Sequence, residues 1–146
     1  MALAVPLSRF TSRVGGGSAF FVRRVMKPQL KAQDCTDHDP IESWLPADST
    51  QLDYWLCLHI GPAGQQGAEM FYVNVLSEAA ARQLDAGELA RRKKIVVEDY
   101  SWSAVMRAVD DILREVEGTS WNEIAQKLSQ KFDWEFDNYR EYEPHA

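Results

Sequence analysis

The chain is 146 residues long, 45% hydrophobic and 26% charged, with a net charge of -6. That describes one soluble globular domain, long enough to bury a core without staples. Residues 1–25 hold four arginines and no acid, which leaves 12 basic and 22 acidic side chains, a net of -10, on residues 26–146; such a surface repels nucleic acid and anionic membranes and attracts a basic partner.

The opening "MALAVPLSRFTSRVGGGSAFFVRRV" has a glycine triplet and no apolar period. It lacks the ordered regions of a secretory signal, and its apolar runs are too short to span a bilayer. Its arginine-rich, acid-free make-up would also suit a transit peptide. The expectation is an N-terminal extension over 1–25, disordered or lying upstream of a true start at Met26, followed by a single domain over 26–146.

"PQLKAQDC" (28–35) alternates weakly and predicts a first strand. "TDHDPIESWLPADST" (36–50) is turn chemistry around an apolar plug of Trp44 and Leu45. "QLDYWLCLHI" (51–60) predicts a strand with Leu52, Tyr54, Leu56 and Leu58 on one face and Trp55, Cys57 and His59 on the other. "GPAGQQG" is a loop, longer than a tight hairpin needs, and "AEMFYVNVL" (68–76) returns as a strand. Ser77 caps a short helix over "EAAARQL". "DAGELARRKK" breaks the pattern, with Arg91 to Lys94 read as a solvated charge run, and "KIVVEDY" (94–100) predicts another strand.

From Ser101 the period changes. Trp102, Val105, Met106, Val109, Ile112, Leu113 and Val116 form one helical face, and Gly118 ends the helix. Ser120 and Glu123 spell a capping box for a second helix, which turns Trp121, Ile124, Ala125, Leu128 and Phe132 inward. Strands first and helices last predict an α+β fold: a largely antiparallel sheet with two C-terminal amphipathic helices packed on one face.

No catalytic signature stands in the chain: it has no G-x-S-x-G, Walker loop, G-x-G-x-x-G or H-E-x-x-H. Cys35, His38, Cys57 and His59 are zinc-type ligands, but only Cys57 and His59 share a strand face, so no metal is assigned. Both cysteines are expected as reduced thiols. Asp110 and Asp111 lie on the polar arc of their helix, and Glu98 and Asp99 are expected to cap it. No enzyme activity and no cofactor are expected.

The tail, "KFDWEFDNYREYEPHA", alternates rings with acids. Period two places Phe132, Trp134 and Phe136 on the core and turns Asp133, Glu135 and Asp137 outward as a row. With Tyr139, Glu141 and Tyr142, these acids are the first candidate binding face. The acidic loop residues Asp34, Asp37, Asp39 and Glu42 are the second.

The opening "MKPQLK", the loop "TDHDPIESWLP", the strand-loop-strand "LHIGPAGQQGAEMFYVNV" and the close "GTSWNEIAQKLSQKFDWEFDNY" come in an order that resembles the immunity protein 8 family of bacterial polymorphic toxin systems. The resemblance runs from about Met26 to Tyr142. It implies a cytoplasmic protein, made beside a toxin, that binds and neutralises that toxin and protects the producing cell. It supplies no agreed set of binding residues. The acidic charge makes a basic toxin domain the expected partner, with no nucleic acid and no membrane, and leaves self-association open. An acidic adaptor or assembly protein, or a small hydrolytic enzyme, is the alternative.

Overall fold

Alternation along two long strands sets the architecture. The structure, a computed structural model, describes residues 25–137. The elements are β1 (Pro28–Asp34), β2 (Asp53–Pro62), β3 (Glu69–Ser77), α1 (Glu78–Gln83), α2 (Ala86–Arg91), β4 (Lys94–Val97), α3 (Trp102–Arg114), α4 (Trp121–Leu128) and β5 (Asp133–Trp134). The chain is α+β, as its pattern predicts. β1, β2 and β3 form an antiparallel meander. The far edge of β3 is shared by two short strands. β5 runs antiparallel to Phe71 and Tyr72, and β4 runs parallel to Asn74 through Ser77.

Tyr54, Leu56, Leu58 and Ile60 of β2 and Phe71, Val73 and Val75 of β3 point to one side and are fully or almost fully buried. Onto them pack Val105, Val109 and Leu113 of α3 and Trp121, Ile124, Ala125 and Leu128 of α4, in a single apolar cluster. Phe71 lies at its centre, edge-on to Trp121 and Phe132 and stacked at 6.3 Å on Trp134. Burial on this scale drives folding; each fully buried large side chain is worth roughly 1.5–3 kcal/mol. Both cysteines are free and buried.

Four local expectations change. Residues 86–91 form a helix, because Asp85 accepts the N–H groups of Gly87 and Glu88 as a cap. In the charge run Arg91 stays exposed, but Arg92 and Lys93 are tied into the fold. Arg92 donates to Asn74 at 3.0 Å and to Glu88 at 2.6 Å, and Lys93 donates to the Gln130 carbonyl. The cap of α3 is the Ser101 hydroxyl, which accepts the Ala104 N–H at 3.0 Å, in place of Glu98 or Asp99. At α4 the Ser120 hydroxyl accepts the Glu123 N–H at 3.2 Å as expected. The Glu123 carboxylate, however, takes the Thr119 N–H and hydroxyl, one residue earlier than a capping box requires.

The β2–β3 connection closes tightly. A Cβ at Gly61 would overlap the Gly67 carbonyl oxygen, and Gly67 itself has φ 103°, so both positions need glycine. At the N-terminal side, Met26 exchanges both backbone hydrogen bonds with Gly118, at 2.7 and 3.0 Å. The expectations for residues 1–24 and for Tyr139, Glu141 and Tyr142 lie outside the described residues. Among the described residues, no helix is long and apolar enough to cross a membrane.

Candidate functional site

Helices α3 and α4 cover one face of the sheet. The residues that alternate with the core set, on the opposite face, include four of the large apolar side chains that stay exposed: Trp55 (42%), Met70 (39%), Tyr72 (37%) and Val96 (43%).

Register shows what surrounds them. Asp34 lies opposite Cys57, Cys57 opposite Tyr72, and Tyr72 opposite Asp133. One row therefore crosses four strands. The next row runs through Ala32, His59 and Met70 and ends at Glu135, whose N–H donates to the Met70 carbonyl at 3.0 Å. Asp53 and Asn74 extend the face towards β4, where the Asn74 amide bonds Asp53 at 2.7 Å.

The structure thus brings Asp34, from the second expected acidic set, onto the same face as Asp133 and Glu135 from the first. Asp37, Asp39 and Glu42 are exposed on the loop that follows β1. Glu42 accepts from Gln33 at 2.9 Å, and Gln33 points to the opposite side of β1 from Asp34. In the tail segment, Phe132, Trp134 and Phe136 are buried while Asp133, Glu135 and Asp137 are exposed. Only Asp133 and Trp134 belong to a strand; the chain turns after them.

The centre of the face is polar. His59 Nε2 lies 2.7 Å from Asp34 Oδ2 and 3.8 Å from Cys57 Sγ. Burial pushes the Cys57 thiol up to about 11, with the Asp34 charge adding to it and the Tyr72 hydroxyl opposing it. Burial also raises Tyr72. It raises Glu135 above the usual carboxylate value too, against the Met70 N–H and the nearby His59, which favour its charge.

Thiol, imidazole and carboxylate invite comparison with a nucleophilic triad, but the geometry differs. A relay needs the thiol and the carboxylate on different ring nitrogens. Here both face Nε2, and the thiol is made harder, not easier, to ionise. The four zinc-type ligands of the sequence do not come together either. Cys35 is buried in the core, and His38 stacks on Trp44 at 3.7 Å. Asp34 was missed as a companion of Cys57 and His59 because only the β1–β2 register makes them neighbours. Trp55 and Tyr72 were visible as strand residues, but nothing in the sequence said that no helix would cover them.

The family model described as Immunity protein 8 matches residues 28–139. No curated protein and no solved structure matches the chain.

Proposed function

Because the chain belongs to the immunity protein 8 family, we propose that it binds a cognate bacterial toxin domain in the cytoplasm and neutralises it by direct contact. The observation that carries the docking site is the group of exposed residues on the sheet face opposite α3 and α4. Trp55, Met70, Tyr72 and Val96 supply exposed apolar area, and Asp34, Asp133 and Glu135 supply negative charge beside it, while Asp53 is paired with Arg92. Apolar anchors within a charged rim are what a specific interface uses.

The partner this face fits is a basic protein surface. The net charge of -10 on residues 26–146 attracts such a surface over long range and repels nucleic acid and anionic lipid. Asp137, Tyr139, Glu141 and Tyr142, which follow Glu135 in the sequence, complete the proposed contact set; the last three lie outside the described residues. Neutralisation by contact needs no cofactor and no catalytic group.

The test is direct. The toxin domain encoded beside this chain is mixed with the purified chain. The expected outcome is a stoichiometric complex in which toxin activity is lost, with Trp55→Ala and Tyr72→Ala weakening both. A toxin that stays active at saturating protein overturns the reading.

A further inference from the structure

The polar centre of the open face has the donors and the geometry of a metal site. We propose that Asp34, Cys57 and His59 bind one divalent transition-metal ion of the zinc class, with a fourth coordination position open on the exposed side.

The donor set is one imidazole nitrogen, one sulfur and one carboxylate oxygen, all within 4.8 Å of one another. A mixed nitrogen and sulfur set selects zinc-class ions over calcium or magnesium, which take oxygen ligands. Zinc bonds of 2.0–2.3 Å in a tetrahedron place ligand atoms about 3.3–3.6 Å apart. Cys57 Sγ and His59 Nε2 are 3.8 Å apart, within a few tenths of that spacing. His59 Nε2 and Asp34 Oδ2 are closer, at 2.7 Å, because a proton bridges them. A metal ion replaces that proton, and the Asp34 side chain, 57% exposed, is free to open the gap.

The backbone fixes the three positions before any ion arrives. Cys57 and His59 are two apart on β2 and so share a face. β2 is paired on both sides, and Asp34 is the register partner of Cys57 on β1. The Glu135 carboxylate, which interacts with both His59 and Cys57, adds negative potential. Because a bound thiol must lose its proton, affinity should rise with pH.

This inference does not depend on the toxin reading, since the probes are zinc chloride and cobalt chloride alone. The full chain, free of any histidine tag and stripped with a chelator, is titrated with zinc by calorimetry and with cobalt by absorption. Expected are one metal per chain and a sulfur-to-cobalt charge-transfer band. Cys57→Ala removes the band and weakens zinc at least about tenfold, and His59→Gln weakens zinc to a similar degree. Asp34→Asn weakens zinc but keeps the band, and His38→Ala changes neither. Circular dichroism checks that each variant is folded; His59, partly exposed, serves if Cys57→Ala is not. No saturable zinc binding, or zinc binding that survives both Cys57→Ala and His59→Gln, overturns the proposal.

Discussion

The carboxylate of Glu135 accepts the backbone N–H of Met70 at 2.7 Å, while the Glu135 N–H donates to the Met70 carbonyl at 3.0 Å. A side-chain oxygen stands where a further residue of β5 would have placed its own acceptor. The acid therefore closes the edge of β3 as well as charging the open face.

Charge and acceptor can be separated at this position. Burial raises Glu135 above its ordinary value of 4.5. Folding thus favours the protonated form, and the group contributes stability that is full below about pH 4.5 and lost as pH rises through the folded value. Glu135→Gln keeps an oxygen for Met70 and removes the titration. Relative to wild type, it should gain stability between pH 4 and pH 7 in urea denaturation. Glu135→Ala also loses the acceptor and should be less stable than Glu135→Gln by about 0.5–1.5 kcal/mol at both values. A Gln variant that loses ground on going from pH 4 to pH 7 would show that the charge stabilises the fold.

Trp121 links α4 to the sheet twice. Its ring is 2% exposed and edge-on to Phe71, and its indole N–H donates to the buried Glu69. Trp121→Ala should cost about 3–5 kcal/mol. Trp121→Phe keeps most of the ring but withdraws a donor from a buried carboxylate, at about 1–3 kcal/mol. If Trp121→Phe costs under about 0.5 kcal/mol, the indole bond contributes little to the fold.

The elements legible in the sequence are those whose neighbours lie close in the chain. Helices α3 and α4 follow from the 3.6-residue apolar period, and the two faces of β2 follow from alternation between Leu52 and His59. What the pattern could not show depends on register and topology. β4 was expected as a strand, but its parallel pairing to β3 has no local signal. α2 rests on one Asp85 cap in a segment whose glycine and basic run suggest a break. Asp34, Cys57 and Asp133 are far apart in sequence, and only the strand order β1-β2-β3-β5 sets them in one row.

Residues 1–25 should prove dispensable for stability. The first described core contact is Met26, which pairs with Gly118 at 2.7 and 3.0 Å, and Val25 before it is exposed. A chain beginning at Met26 keeps a donor nitrogen for the Gly118 carbonyl. Its melting temperature should fall within about a degree of the full chain, because every described core contact is kept. A fall of about ten degrees would place core contacts upstream of Val25.

Docking on the open face has two physical components with different kinetic signatures. Asp133 and Asp137 are exposed, and neither carboxylate is needed to close the sheet edge as Glu135 is. Changing both to Asn should therefore leave the fold intact and slow association with a basic toxin by at least about threefold in low salt. The deficit should shrink as salt rises, since screening removes the steering from the wild-type protein as well. Trp55 and Tyr72 act after encounter. They are 42% and 37% exposed on neighbouring strands and offer contact area with few rotamers to freeze. Trp55→Ala and Tyr72→Ala should leave association nearly unchanged and speed dissociation by about tenfold or more. Stopped-flow or surface-based kinetics at two salt concentrations reads both effects. If the Asn pair associates like wild type in low salt, and both aromatic variants dissociate like wild type, this face does not hold the toxin. The loop carrying Asp37, Asp39 and Glu42 is then the surface to change next, because its acids are also exposed.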